Sequence, residues 1–101
     1  MAEVIWTKLA VGQLERAVKY IKVERGTSYA QIVLDNILES TRNLKSFPQM
    51  GSIEPLLEHK KSEYRYLVVW SYKVIYRVGE NKIVVSRVFH TSQSPSKIFK
   101  R

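Results

Sequence analysis

The residues that could do chemistry lie in the carboxyl-terminal part of the sequence. Arg65, Lys73, Arg77 and Arg87 fall in stretches rich in Val, Ile and Tyr, and His90 follows them. Cations of this kind bind phosphate groups and stabilise the charge that builds on a phosphate during cleavage. RNA cleavage through the neighbouring 2′-hydroxyl needs only such cations and a proton shuttle, for which histidine is suited by its near-neutral pKa. The pattern predicts a basic sheet face with His90 at its edge as the candidate proton shuttle.

The distribution of charge favours the same part of the chain. The formal net charge is +8. Residues 1–58 hold seven basic and seven acidic residues, whereas residues 59–101 hold ten basic residues and two acidic ones. The whole excess lies in the second part, which predicts a surface for an anionic partner such as nucleic acid, an acidic protein or a membrane surface.

Several other kinds of chemistry have no support in the sequence. The chain contains no cysteine, which excludes disulfides, thiolate zinc sites and a cysteine nucleophile. Its two histidines, His59 and His90, lie far apart, and the spaced motifs of nucleotide-binding loops, serine hydrolases and zinc proteases are missing. We therefore predict no metal and no cofactor. Because the sequence shows neither a signal peptide nor a membrane-spanning run, we expect a cytoplasmic protein without a membrane partner.

The first half of the chain predicts the elements that carry this surface. Residues 1–101 have the length of a single domain with one modest core. The segment Val4–Trp6 suits a short strand. Apolar residues then recur at helical spacing over 10–21 and again over 30–44, with Gly26 between the two runs. This spacing predicts a helical hairpin after a strand.

The second half predicts β-structure. From Ser52 to Ser62 no period is visible, so we expect a loop, with an extended piece around Leu56 and Leu57. Residues 64–78 and 82–89 are dense in Val, Ile and Tyr and have breaks at two turns. They predict an antiparallel meander of three strands that the helices cover on one side, which gives an α+β fold.

Strand alternation assigns side chains to the two faces of this sheet. Lys73 and Arg77 share one face, whereas Tyr72 and Tyr76 share the other with valines and are expected in the core. Trp70 is also expected in the core, as is Trp6. The plainer interpretation of the cations is a solvated sheet face that discourages aggregation. The plainer interpretation of His90 is a strand end that hydrogen-bonds a backbone group.

The order of these elements and the residues within them resemble those of the RelE/ParE superfamily of toxins from bacterial type II toxin–antitoxin systems. The resemblance covers nearly the whole chain and rests on the helical hairpin followed by four segments: Phe47-Pro48-Gln49-Met50-Gly51, Tyr64-Arg65-Tyr66-Leu67-Val68, Ser71-Tyr72-Lys73-Val74-Ile75-Tyr76-Arg77-Val78 and Arg87-Val88-Phe89-His90-Thr91. It implies a RelE-like fold with a short C-terminal helix or tail. It also implies a cognate antitoxin as partner in a toxin–antitoxin hetero-oligomer.

The resemblance implies one of two targets. RelE-type members are mRNA interferases that cut messenger RNA on the ribosome, and ParE-type members inhibit DNA gyrase without being nucleases. Arg65 and Lys73 fall where RelE-type enzymes place basic residues of the active surface, which makes them, with His90, the candidate catalytic residues. Gln93, however, stands in place of an arginine and Phe99 in place of a tyrosine. A phenyl ring can stack on a base but cannot exchange a proton. The segment from His90 to Pro95 looks more like ParE-type members, although Ser92 stands where many of them carry arginine.

The sequence therefore leaves three functions open. The leading expectation is a metal-independent endoribonuclease that acts with the ribosome on messenger RNA, and the second is a gyrase inhibitor. The third is a non-catalytic nucleic-acid-binding domain or a decayed toxin. The residues expected to bind nucleic acid or the antitoxin are Arg77, Arg87, Gln93, Lys97, Phe99, Lys100 and Arg101. Charge reversal at Arg65 and Lys73 is expected to abolish toxicity without unfolding the protein, because both side chains should point outward.

Overall fold

A computed structural model describes residues 2–93 of the chain. Its helices and strands are β1 (Glu3–Trp6), α1 (Lys8–Arg25), α2 (Thr27–Arg42), β2 (Ser52–Ile53), β3 (Glu63–Val69), β4 (Tyr72–Gly79) and β5 (Lys82–His90). The predicted α+β class, N-terminal strand, helical hairpin and three-strand meander are confirmed. The predicted C-terminal helix or tail lies outside the described residues.

The two helices form a hairpin with a one-residue connection. Thr7 begins α1, and its hydroxyl accepts a hydrogen bond from the backbone N–H of Ala10 at 3.0 Å. Gly26 separates the helices with a backbone φ of 95°, a conformation that residues with a Cβ rarely adopt. Because the connection is so short, α1 and α2 pack side by side and bury a shared apolar stripe against the sheet. The stripe consists of Ala10, Leu14, Ile21, Ala30, Val33 and Ile37.

The sheet has five strands in the order β1-β5-β4-β3-β2. Strands β3, β4 and β5 are antiparallel neighbours, and β1 pairs with β5 in parallel. The fifth strand, β2, corrects the prediction of a loop with an extended piece around Leu56 and Leu57. It is Ser52–Ile53 that pairs with β3, while Pro55–Leu57 forms a 3₁₀ turn. A strand of two residues has no period of its own and is defined only by its partner, so the sequence pattern could not reveal it.

A β-bulge sets which side chains face the helices at the end of β5. Ile75 pairs with Arg87 and Tyr76 pairs with Val85, which leaves Ser86 as an extra residue in β5. The Ser86 hydroxyl donates to the Ile75 carbonyl at 3.2 Å. Because of this extra residue, both Val85 and Val88 contribute to the core on the helix side. Without the bulge, one of them would lie on the outer face of the sheet.

Candidate functional site

The strand cations do not form one basic face. Lys73 and Arg77 lie on the outer face of β4, away from the helices, as the alternation predicted. Arg65, however, pairs with Tyr76 across the β3–β4 ladder, and cross-strand partners share a face. Since Tyr76 belongs to the helix-side core, Arg65 also lies on the helix side. The prediction of a shared face is therefore wrong for Arg65, because single-strand alternation does not fix the register between strands.

Lys73 is held by a buried carboxylate. Its Nζ lies 2.7 Å from Oε1 of Glu54, whose side chain is 0% exposed, and 4.3 Å from the centre of the Tyr66 ring. The contact with Oε1 is ionic, since its geometry is outside that of a hydrogen bond. The other carboxylate oxygen of Glu54 accepts from the Leu56 N–H at 3.0 Å. With only 19% of its side chain exposed, Lys73 lies on the outer face but is not a solvated cation.

Arg65 anchors a loop instead of facing solvent. Its guanidinium donates to the carbonyl of Gly51 at 2.7 Å and to that of Gln49 at 3.4 Å, and it pairs with Glu63. The side chain is 18% exposed. Reversing the charge at Arg65 or Lys73 would leave these polar partners without their cation. The premise that both side chains point outward into solvent is therefore wrong, and charge reversal at these positions is expected to destabilise the fold.

Tyr76 holds the same loop, around Pro48 to Gly51, through its side-chain hydroxyl. Its hydroxyl donates to the Pro48 carbonyl and accepts from the Gly51 N–H, both at 2.9 Å. Its ring is fully buried, as predicted for the core. Burial is the main cause that raises the pKa of Tyr76 above its ordinary value of 10.0, although the hydrogen bond from Gly51 and the charge of Arg65 oppose this shift.

The anchored loop exposes apolar side chains that sequence reasoning missed. Phe47 is 65% exposed and Met50 is 47% exposed, and they border an apolar hollow with Pro48 and Val78. The segment contributed to the family resemblance but received no role. The exposure of these side chains depends on contacts of the loop with β3 and β4, which are distant in the sequence. The only local signal for an apolar surface is that Phe47, Pro48 and Met50 lie close together along the chain.

His90 closes β5 on the helix side, in edge contact with the ring of Tyr72 at 5.3 Å between centroids. Its Nδ1 accepts from the backbone N–H of Ser92 at 3.0 Å and lies within hydrogen-bond distance, 2.7 Å, of the Ser92 hydroxyl. The backbone N–H of His90 donates to the side chain of Gln93 at 3.0 Å. These bonds give His90 the capping role of the plainer interpretation, and they leave Nε2 as its remaining polar atom.

A groove opens beside His90, between α1 and the end of β5. Its volume is about 480 Å³, and its walls include Gln13, Arg16 and Tyr20 of α1. Tyr72 forms part of the floor; its ring is buried as predicted, and burial is the first cause that raises its pKa above 10.0. The groove is a second candidate site, separate from the outer face where Lys73 lies.

Trp70 corrects the prediction that both tryptophans lie in the core. It occupies the β3–β4 turn with φ of 56° and is 50% exposed. Its ring meets the edge of Tyr29 at 5.4 Å, and the guanidinium of Arg25 lies 4.4 Å from the Tyr29 ring. A two-residue turn between β3 and β4 places its first residue outside the sheet, whatever the hydrophobicity of that residue.

The remaining predicted residues are spread over the molecule. Arg77 and Arg87 are half-buried in their strands, and Gln93 is exposed in the turn after β5. Lys97, Phe99, Lys100 and Arg101 lie outside the described residues. Within residues 2–93 no group of three or more His, Cys, Asp or Glu side chains is arranged to hold a metal. No helix in this part of the chain is long and apolar enough to cross a membrane.

Comparison with known proteins assigns this fold to a family. The model of the family described as the ParE toxin of the type II toxin–antitoxin system parDE matches residues 4–95. The chain belongs to the ParE toxin family. Among solved structures, a chain of the chromosomal ParDE toxin–antitoxin system from P. aeruginosa shares the fold with a TM-score of 0.73. It is 23% identical, and the alignment covers 89% of the present chain and 96% of that one. The curated protein sequences give no match.

Membership of the ParE family makes the protein a type II toxin and implies a cognate antitoxin as its partner. It refines the expectation drawn from the sequence, in which the RelE-type and ParE-type branches were both open. Of the two mechanisms, the family favours the one that the sequence analysis ranked second.

Proposed function

We propose that this ParE-family toxin inhibits DNA gyrase in the cytoplasm and is neutralised by an antitoxin. The observation that carries the proposal is the match of the ParE family over residues 4–95, nearly the whole chain. Gyrase inhibition is the activity that the ParE branch implies, and messenger RNA cleavage is the activity of the other branch.

The geometry of the former nuclease candidates supports this choice. A nuclease must bring cations and a proton-transfer group to one phosphate. Lys73 lies on the outer face and is paired with Glu54, whereas Arg65 and His90 lie on the helix side. Arg65 is bonded to the 49–51 loop, and Nδ1 of His90 is bonded to Ser92. These three side chains do not converge on one phosphate.

The charge of the chain supports an acidic antitoxin segment as the neutralising partner. The excess of cations lies entirely in residues 59–101. Complementary charge steers two proteins together and suppresses association with partners of the wrong charge. An acidic segment that folds on binding would pay its ordering entropy at that moment, and the electrostatic attraction helps to offset this cost.

The test is a supercoiling assay with purified gyrase, relaxed plasmid and the full-length toxin. We expect the toxin to block supercoiling or to trap cleaved plasmid, and the antitoxin encoded beside its gene to restore activity. The parallel arm adds the toxin to translating ribosomes and maps the ends of the messenger RNA.

Two results would contradict the proposal. Cuts within translated codons, with supercoiling intact, would assign the protein to the messenger RNA cleavage mechanism. If neither gyrase nor messenger RNA is affected, and expression does not arrest growth, the chain is a binding domain or a decayed toxin.

A further inference from the structure

The groove between α1 and the end of β5 has the features of a small-molecule site. Its volume of about 480 Å³ falls in the range of ligand pockets. Tyr20 and Tyr72 supply aromatic surface, and Arg16, Gln13, His90 and Gln93 supply polar groups. No aspartate or glutamate lines it among the described residues.

The hydrogen-bond acceptors of the two glutamines are already used by the backbone. Oε1 of Gln13 accepts from the Val88 N–H at 2.7 Å, at the edge of β5 beyond its pairing with β1. Oε1 of Gln93 accepts from the His90 N–H at 3.0 Å. Both amides are thereby oriented, and the polar group that each has left is its NH₂, a donor.

His90 and Tyr72 add donors of the same kind. Nδ1 of His90 accepts from the N–H of Ser92, so in the neutral ring Nε2 carries the hydrogen. Tyr72 is 7% exposed, and its hydroxyl has no hydrogen-bond partner within residues 2–93 although it is not sealed from solvent. Since burial raises the pKa of Tyr72, the hydroxyl keeps its proton and can donate.

Arg16 completes the set from the rim. Its guanidinium folds back beside Gly12, one turn earlier in α1, and has no ion-pair partner within the described part of the chain. The side chains around the groove therefore offer donors from α1, from β4 and from the turn after β5, together with a positive charge. Such a set favours an anionic ligand with several acceptor oxygens.

We propose that this groove binds a phosphate monoester that carries an aromatic group, with a nucleoside monophosphate as the representative ligand. Three terminal phosphate oxygens can accept from donors on three elements, which a carboxylate with two oxygens matches less well. The exposed ring of Tyr20 stands at the groove wall, where it can cover an attached base. The site lies on the opposite side of the sheet from Lys73 and goes beyond the toxin activity.

The test is a titration of the ¹⁵N-labelled full chain with AMP, followed by amide NMR shifts. We expect shifts at Val88, His90, Gln93 and the side-chain NH₂ groups. Arg16→Gln and Tyr72→Phe should each weaken AMP binding by about tenfold, the effect of one good hydrogen bond to a charged group. Lys19→Gln is the matched control, because it removes one charge from the same helix at an exposed position outside the groove lining.

Adenosine and succinate complete the experiment. Binding of AMP with little binding of either would support the proposal. The proposal is overturned if AMP causes no shifts in the folded protein, if adenosine or succinate binds as well as AMP, or if Lys19→Gln weakens binding as much as Arg16→Gln. The amide spectra of the variants show whether each one is folded, so a loss of binding through unfolding is recognised directly.

Discussion

Tyr72 and Tyr76 stand on the same face of β4, and both rings are buried, yet their hydroxyls have opposite roles. The Tyr76 hydroxyl makes two hydrogen bonds of 2.9 Å to the loop at Pro48 and Gly51. The Tyr72 hydroxyl has no partner in residues 2–93 and borders the groove beside His90. The same residue type thus serves structure at one end of the strand and is available to a ligand at the other.

A structural polar group and one that can bind a ligand differ in what their removal does. A buried tyrosine normally finds a partner for its hydroxyl, because an unpaired polar group in the interior costs free energy. Where the partner is the protein backbone, removing the hydroxyl should destabilise the fold. Where the hydroxyl is open to a groove, removing it should affect binding and leave stability nearly unchanged.

The largest effect is expected at Gly51, the residue that Tyr76 holds in place. A Cβ there would lie 2.4 Å from the Tyr66 carbonyl oxygen and 2.8 Å from the Tyr76 hydroxyl. We expect Gly51→Ala to lower the free energy of unfolding by about 3 kcal/mol, measured by urea denaturation. Gly12→Ala is the control, since its Cβ meets only the flexible end of Arg16, and it should raise stability by up to about 1 kcal/mol. Equal changes in stability for the two variants would mean that Gly51 is not packed closely against Tyr66 and Tyr76.

We expect Tyr76→Phe to lower the free energy of unfolding by about 2 kcal/mol. The change leaves the Pro48 carbonyl and the Gly51 N–H without their partner, while the phenyl ring keeps the packing of the core. The measurement is again urea denaturation, with hydrogen exchange at Gly51 as a local reporter. Unchanged stability together with slow exchange at Gly51 would show that the two hydrogen bonds do not hold the loop.

High pH offers a smaller test of the same pair. The pKa of each tyrosine is raised above 10.0 in the folded protein, mainly by burial. The folded state therefore keeps protons that the unfolded state releases, so the stabilisation is complete below pH 10.0 and is lost as pH rises through the folded pKa. Between pH 10.0 and the folded pKa, we expect the free energy of unfolding to fall by up to about 1.4 kcal/mol per pH unit for each tyrosine. Denaturation midpoints above pH 10.0 should fall less steeply in Tyr72→Phe and Tyr76→Phe than in the parent.

Tyr72→Phe should have the smallest effect on stability, within about 0.5 kcal/mol at neutral pH, because no hydrogen bond to the described residues is lost. Thermal and urea unfolding of this variant beside Tyr76→Phe would measure the contrast directly. A loss as large as that in Tyr76→Phe would mean that the Tyr72 hydroxyl has a structural partner.

The sequence was sufficient for the elements whose signal is local. The apolar period of α1 and α2, the break at Gly26 and the alternation in β4 predicted the hairpin, the meander and the buried rings of Tyr72 and Tyr76 correctly. These features depend on neighbours along the chain, and tertiary packing agrees with them.

What the sequence could not predict depends on partners that are distant along the chain. The face occupied by Arg65 follows from its register with Tyr76, the burial of Lys73 from Glu54, and β2 from its pairing with β3. The sequence pattern predicts that a charged residue in a strand is exposed to solvent, because it does not reveal the distant group that neutralises the charge. The candidate groove could not be predicted either, because it forms between α1 and the end of β5, which are distant along the chain.

The parallel pairing of β1 with β5 has a consequence for the order of events during synthesis. Glu3 pairs with Lys82 and Trp6 with Val85, so β1 leaves the ribosome long before its partner exists. The helical hairpin can form early, but its apolar stripe has no complete sheet to cover until β5 emerges. Long-range pairing of this kind is slow, because loop closure must precede the contacts that stabilise it. The complete sheet, and the surfaces built on it, therefore cannot form until β5 has been synthesised.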